Sequence, residues 1–160
     1  MDKTDFYIKK LSSFPKLPTD IYEKINFNLD QYRNKNTVGN NVNYVWSDDF
    51  NENINNWCQQ NVVDGIYYAF QIATEDMPLH KDKNSTVKLI YVLDTGGDDV
   101  LTNFYNDKQE LLHSLKVEPN FWYLLKTDVF HAVEGITRPR FSICATVFRI
   151  LDLVKPIKSF

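Results

Sequence analysis

The apolar positions in the first third of the chain follow the period of an α-helix. In residues 18–33 they recur at intervals of three and four, and Asp20 and Glu23 have the spacing of a capping box at the start of this segment. The apolar stripe consists of Ile21, Ile25, Leu29 and Tyr32. The sequence therefore predicts one amphipathic helix over residues 18–33.

A second helix is predicted over residues 47–63, where Ser47 or Asp48 would be the N-terminal cap. Its apolar stripe consists of Phe50, Ile54, Trp57 and Cys58. Such a stripe is more often part of a core than of a cofactor site. Cys58 is therefore interpreted as a small buried hydrophobe, and so is Cys144, which lies in a β-like run.

From residue 64 the pattern changes to short β-prone runs separated by turn residues, including the turn at 95–99. The predicted strands are 65–73, 77–82, 87–94, 100–106, 113–118, 121–126, 129–135 and 140–150. Eight strands without alternating helices favour a jelly roll or another closed β-architecture. The predicted fold class is therefore mainly β with N-terminal helices.

Composition limits the function classes. A chain of 160 residues with 43% hydrophobic and 24% charged residues is expected to form one domain, 1–160, with a helical support region at 1–63 and a β core at 64–150. A net charge of −3 without a basic patch gives no indication of nucleic-acid binding. No stretch has the length of a membrane span or the form of a signal peptide. The expected location is the cytoplasm, or the host cytoplasm if the Asn- and Lys-rich composition reflects an AT-rich phage genome.

His80 and Asp82 are the first candidates for chemistry. Residues i and i+2 of a strand project from the same face, so the two side chains would stand together, with Lys81 turned away. His131, in another predicted strand, is the best candidate for a third ligand. Two histidines and one carboxylate with open coordination positions form the site of non-heme iron(II) oxygenases.

Arg140 lies nine residues after His131, at the start of the last predicted strand, with Ser142 on the same face. An arginine fork binds a carboxylate through two parallel hydrogen bonds, and a nearby hydroxyl could add a third. These residues would form an anion site beside a metal. Arg138 precedes Pro139 in a turn and is expected to face solvent.

The order His80-x-Asp82, His131, Arg140-x-Ser142 resembles that of the Fe(II)- and 2-oxoglutarate-dependent oxygenases, including the prolyl-hydroxylase-like members. The resemblance covers residues 64–150 and extends to Gly96 and Gly97 before a strand that ends in "NFY" and to the segment "TDVFHAV".

The resemblance implies a double-stranded β-helix core with Fe(II) held by His80, Asp82 and His131. It also implies 2-oxoglutarate bound by Arg140 and Ser142, dioxygen as oxidant, and a small-molecule or protein side-chain substrate that is hydroxylated. Succinate and CO2 would be released, and no separate catalytic acid or base is implied. The family often places a tyrosine on the strand after His-x-Asp. Val92 occupies the best-aligned position here, so Tyr91 and Tyr68 are the remaining candidates for co-substrate contacts.

Other readings stay open at this point. A cupin-like metal enzyme that does not use 2-oxoglutarate would have a similar barrel but would not need the Arg140 and Ser142 site. A non-catalytic jelly-roll binding module would make the ligand pattern coincidental. His113 is expected to be an exposed histidine, and the aromatic run at 121–125 is expected to belong to the core. No oligomeric state is indicated.

Overall fold

The structure, a computed structural model, describes residues 6–33, 37–40, 44–47, 52–83 and 86–147. Within these ranges the strands are β1 (Ile8–Lys10), β2 (Thr37–Asn40), β3 (Tyr44–Ser47), β4 (Tyr68–Ala73), β5 (Met77–His80), β6 (Val87–Asp94), β7 (Leu101–Tyr105), β8 (Leu111–Leu115), β9 (Trp122–Lys126), β10 (Phe130–Glu134) and β11 (Arg140–Val147). The helices are α1 (Thr19–Tyr22), α2 (Leu29–Arg33) and α3 (Glu52–Asn61). None of these helices is long and apolar enough to cross a membrane.

The strands form two antiparallel sheets. The larger sheet has the order β1-β9-β6-β11-β4-β3-β2, and the smaller has the order β5-β10-β7-β8. From β4 to β11 the chain moves repeatedly between the sheets, so that β9-β6-β11-β4 faces β5-β10-β7-β8. This strand order is that of a double-stranded β-helix. The predicted fold class is confirmed, and a strand overlaps each of the eight predicted segments. Residues 148–150 of the last predicted strand lie outside the described residues.

The larger sheet has an apolar core on each face. Its outer face packs against the helices through Tyr68, Tyr91, Trp122 and Ile143, among other residues. Its inner face, toward the smaller sheet, carries a smaller cluster that consists of Ile90, Val92, Val117, Tyr123 and Cys144. Because successive residues of a strand point to opposite faces, β6, β9 and β11 each contribute buried residues to both cores. The inner face is the one that lines the cavity described below.

The predicted helix over residues 18–33 is interrupted. Pro18 is at the N-cap of α1, and no side-chain cap hydrogen bond forms there, so the predicted capping box is wrong. Between α1 and α2 the side chain of Asn26 accepts a hydrogen bond from the backbone N–H of Asn28, whose own side chain accepts one from Asp30 N–H. Asparagine side chains compete in this way with helical backbone bonds, which explains the break.

The second predicted helix begins later than expected. Ser47 ends β3 and is not a helix cap, while Asp48 and Phe50 lie outside the described residues. The rest of the apolar stripe is confirmed, because Ile54 and Cys58 are buried on α3 and Trp57 packs against the same core.

The region 1–63 is not only helical. It contributes β1 to one edge of the larger sheet, where Ile8 pairs with Leu125, and it contributes β2 and β3 to the other edge. These strands have three or four residues each, too few for an alternating pattern to be recognised in the sequence. The N-terminal region therefore extends the sheet as well as covering its outer face.

Candidate metal centre

The two predicted histidine ligands lie beside each other on neighbouring strands of the smaller sheet. His80 ends β5, and His131 lies in β10, directly opposite His80 in the antiparallel register. Their ring centroids are 4.3 Å apart. Because β10 lies between β5 and β7, His131 is held from both sides and is buried, whereas His80 is half-buried.

Asp82 lies just beyond β5 and completes the group. Its backbone N–H donates a 2.9 Å hydrogen bond to Thr127 O, which fixes the chain after the strand. Asp82 Oδ1 is 3.4 Å from His80 Nε2 and 3.7 Å from His131 Nε2. One ligand atom from each residue lies within 4.8 Å of the others, so the three predicted residues could hold one metal ion.

Each histidine has its other ring nitrogen on a backbone carbonyl. His80 Nδ1 is 2.6 Å from Pro78 O, and His131 Nδ1 is 2.8 Å from Val129 O. A carbonyl oxygen only accepts, so Nδ1 carries the proton in both rings and a neutral ring has its lone pair on Nε2. Such outer partners orient metal-binding imidazoles. Two Nε2 atoms and one carboxylate oxygen match the donor set of a two-histidine, one-carboxylate site.

The electrostatics of the group also fit a cation. Burial lowers the pKa of His131, which favours the neutral imidazole that binds metals. Hydrogen bonding to the carboxylate of Asp82 raises the pKa of His80, so a cation would compete with a proton there. Partial burial alone would raise the pKa of Asp82, but His80 and Lys88 together hold it well below its usual range. Asp82 is thus an ionised, negatively charged ligand near neutral pH.

The candidate metal centre borders a cavity between the two sheets, with His80 and His131 in the cavity wall. The space between the sheets amounts to about 610 Å³ when the open solvent at its mouth is included. His80 and His131 line it from the smaller sheet, and Arg140 and Ser142 line it from β11. The structure therefore brings the predicted anion-binding pair into the same cavity as the predicted metal ligands.

Arg140 is a buried cation, with only 4% of its surface exposed. Burial lowers its pKa to about 10, so the guanidinium stays charged at neutral pH. Its Nη1 donates a 3.2 Å hydrogen bond to Thr95 O. Gly96 has φ +82°, and a Cβ at this position would lie 2.7 Å from the Cβ of Arg140. The predicted glycine turn is thus the surface against which Arg140 packs.

Ser142 is on the same face of β11 as Arg140, as the alternation predicts. Its hydroxyl lies 3.3 Å from Gln71 O, the carbonyl to which it donates. Cys144, the next residue on this face, is buried beside Gln71, and burial raises the pKa of its thiol. In the part of the chain that the structure describes, Cys144 and Cys58 are free and buried, as expected.

Lys88 was not among the predicted site residues. It lies on β6, and its Nζ is 2.8 Å from Asp82 Oδ2, with 17% of the side chain exposed. Its position in the sequence could have indicated this role. Lys88 is two residues before Ile90 and four before Val92, and both of these face the cavity side of the sheet. A lysine in such a position is rarely buried without a partner.

Tyr91 and Tyr68 do not reach the cavity. Both side chains belong to the core on the helix-covered face of the larger sheet. Tyr91 accepts a hydrogen bond from the backbone N–H of Leu17. Successive residues of a strand point to opposite faces. On β6 the cavity is lined by Ile90 and on β4 by Gln71, and each tyrosine lies an odd number of residues from the one on its own strand, so both point away from the cavity. This corrects the expectation that Tyr91 and Tyr68 contact a co-substrate.

Tyr68 instead stabilises the fold. Its buried hydroxyl donates to Val63 O at 2.8 Å and accepts from Val63 N–H at 3.0 Å. We expect Tyr68→Phe to lower the free energy of unfolding by about 1–3 kcal/mol, because two buried backbone groups lose their partner. Urea denaturation would measure this change. Tyr7→Phe is the control, since the Tyr7 hydroxyl has no hydrogen-bond partner among the described residues. Equal stability of the two variants would contradict this role.

The expectations for His113, Arg138 and the aromatic run at 121–125 agree with the structure. His113 is exposed on β8 and stacks on Tyr7 with ring centroids 6.0 Å apart. Arg138 is 51% exposed and pairs with Asp94 at 3.2 Å. In the aromatic run at 121–125, Trp122 and Tyr123 are buried in the two cores.

No family model matches the chain, and no curated protein matches it. Solved structures resemble it at 11–12% identity. Procruciferin, an 11S globulin from Brassica napus, has a TM-score of 0.45 at 11% identity over 69% of this chain, which spans only 27% of the globulin chain. Hydroxypropylphosphonic acid epoxidase from S. wedmorenis has a TM-score of 0.47 at 12% identity, covering 83% of this chain and 64% of that one. A cupin-2 domain containing protein from Shewanella frigidimarina has a TM-score of 0.38 at 12% identity, covering 78% of this chain and 96% of that one. The fold assignment rests on the strand order.

Proposed function

We propose that the protein is an Fe(II)- and 2-oxoglutarate-dependent oxygenase that hydroxylates a protein side chain or a small amino-acid-like substrate, with release of succinate and CO2. The observation that carries the proposal is the presence of a buried, charged Arg140 in the same cavity as His80 and His131, whose Nε2 atoms converge on Asp82. A metal site alone would fit many reactions. A metal site with a buried arginine beside it fits a co-substrate that carries a carboxylate.

Iron in this site would supply the activation of dioxygen and the oxidation of the substrate. His80, Asp82 and His131 would hold the metal, since each offers one ligand atom. Arg140 binds the far carboxylate of 2-oxoglutarate through its fork. The hydroxyl of Ser142 turns from Gln71 O and donates its single proton to the same group. These residues bind and orient, and none of them is required to move a proton.

The charge of the cavity supports an anionic co-substrate. Lys88 and Asp82 form an ion pair at 2.8 Å, so their charges offset each other. Arg140 then remains as a buried positive charge that donates to a neutral carbonyl and is offset only in part by Asp94. Asp94 is its nearby acidic neighbour and also pairs with the exposed Arg138. With a divalent cation bound, the cavity would carry a further excess of positive charge. A dianion with a carboxylate at each end complements this arrangement.

The walls of the cavity also fit oxidative chemistry. Apolar side chains from both sheets and from the segments beside them line it, and they exclude water from the reaction. These side chains are Ile8, Ile90, Val117, Leu125 and Val133. The substrate would enter through the open mouth toward the metal ligands.

The test is an anaerobic titration of the protein with Fe(II) and then with 2-oxoglutarate, followed by its visible metal-to-ligand charge-transfer band. Pyruvate is the matched control, because it has the keto acid group but lacks the distal carboxylate. We expect a band with 2-oxoglutarate at concentrations at which pyruvate gives little. On admission of air, succinate should form and should be measured by mass spectrometry.

Three other outcomes of this titration would contradict the proposal. Iron binding without any response to 2-oxoglutarate would favour a cupin-like metal enzyme that does not use this co-substrate. An equal response to pyruvate would exclude the assigned role of Arg140 and Ser142. Absence of iron binding would favour a non-catalytic jelly-roll module.

A further inference from the structure

Lys88 places a cation inside the cavity, directly behind a metal ligand. Its Nζ is 2.8 Å from Asp82 Oδ2 and 5.3 Å from the centre of the Trp46 ring. Both the lysine and the aspartate side chains are largely shielded, at 17% and 14% exposure. By contrast, Lys81 forms an ion pair of the same 2.8 Å length with Asp107 at the surface, where 89% of the aspartate side chain is exposed.

The two oxygens of Asp82 have separate partners. Oδ1 faces the Nε2 atoms of His80 and His131, at 3.4 and 3.7 Å. Oδ2 is held by Lys88. A metal ion bound by both imidazoles would therefore meet Oδ1, while an ammonium group engages Oδ2. Because the ammonium and a divalent cation repel each other, Oδ2 is not shared between them.

We propose that Lys88 is a positioning residue that keeps Asp82 a one-oxygen ligand and so preserves an open coordination position on the metal. The inference deepens the proposed function and rests on it only in requiring a divalent cation at His80, Asp82 and His131. An octahedral ion with these three single-atom ligands keeps about three positions for water or co-substrates. A bidentate Asp82 would occupy one of them.

Removal of the lysine should change how Asp82 binds. The ammonium of Lys88 is the positive charge in contact with Oδ2, and in this shielded place its loss removes a large electrostatic stabilisation of that oxygen. In Lys88→Met the apolar stem is kept and the charge is lost, so the bound metal becomes the nearest cation to Oδ2. We expect Asp82 to turn and bind through both oxygens. Lys88→Arg keeps a positive charge and hydrogen-bond donors at this place and should preserve the one-oxygen mode.

The experiment counts the water molecules on bound Mn(II), by electron paramagnetic resonance line broadening in 17O-enriched water. It compares the wild type with Lys88→Met, Lys88→Arg and the surface control Lys81→Met. We expect about three waters in the wild type, in Lys88→Arg and in Lys81→Met, and about two in Lys88→Met, because bidentate Asp82 displaces one from an octahedral ion. A crystal structure of the Mn(II) complex would show one or two aspartate oxygens at bonding distance.

Several results would overturn the proposal. An unchanged water count in Lys88→Met would show that Lys88 does not limit Asp82. Two waters in the wild type, or a lost water in Lys81→Met, would remove its basis. Loss of Mn(II) binding in a folded Lys88→Met would show that Lys88 supports the metal rather than the open position. The assay contains neither 2-oxoglutarate nor dioxygen, so failure of the co-substrate proposal leaves it intact. A wild type that binds no Mn(II) would refute the metal centre and this inference together.

Discussion

Replacement of His131 by alanine is expected to abolish Fe(II) binding. His131 is buried at the centre of the smaller sheet, and its Nε2 is one of only three predicted metal-binding atoms. Loss of an outer partner of a metal ligand typically costs roughly 10- to 100-fold in affinity, and loss of the ligand itself should cost more. Titration with Fe(II) under anaerobic conditions, or with Mn(II) in air, would measure the change.

His113→Ala is the matched control, because His113 lies on the neighbouring part of the same sheet but is exposed and outside the group of three. It should bind metal as the wild type does. His131→Ala also creates a cavity, so near-ultraviolet circular dichroism should confirm that it folds, and Asp82→Asn provides a second test without loss of volume. Wild-type affinity in folded His131→Ala and in Asp82→Asn would refute the metal centre.

Replacement of Arg140 by alanine is expected to leave metal binding intact and to weaken 2-oxoglutarate binding strongly. Truncation of one partner of a buried charge pair costs about 2–5 kcal/mol. This corresponds to a loss of affinity of roughly 30- to 4000-fold. The charge-transfer band that forms when 2-oxoglutarate binds Fe(II) would report the dissociation constant directly.

Arg138→Ala is the control for Arg140→Ala. Arg138 lies two residues away and pairs with Asp94, but it is exposed, and exposed pairs contribute about 0–1 kcal/mol. It should therefore leave 2-oxoglutarate affinity nearly unchanged. Arg140→Lys separates charge from geometry, since it keeps the cation and loses the fork. If Arg140→Ala bound 2-oxoglutarate as tightly as the wild type does, the co-substrate would have to bind elsewhere.

The strands of the β core could be predicted from the sequence because each is indicated by its own residues and by the turn residues that flank it. Each of the eight strands from β4 to β11 is a short run between turn residues, and the alternation within β11 placed Arg140 and Ser142 on one face and Phe141 on the other. The His80-x-Asp82 spacing likewise placed two side chains together without knowledge of the rest of the fold.

What the sequence did not predict depends on pairing between distant segments. The alternation along one strand shows which residues share a face, but it does not show which of the two faces lines the cavity. Tyr91 was therefore assigned to the wrong face of the sheet, and Lys88 was overlooked. The edge strand β1 is defined by its pairing with β9 and has too few residues to show a pattern of its own. The break between α1 and α2 comes from the hydrogen bonds of Asn26 and Asn28, a competition that apolar spacing does not reveal.

The position of β11 has a consequence for how the chain folds. This strand lies between β6 and β4, so the centre of the larger sheet is closed by the last of the described strands, and β4 and β6 have no direct pairing with each other. Such non-local pairing makes folding slow, because long loops must close before contacts compensate for their entropy. During synthesis on the ribosome, β4 and β6 therefore emerge with unpaired edges and wait for β11. Chaperone protection should matter most in that interval. Arg140 and Ser142, which β11 carries, reach the cavity only when this strand has paired.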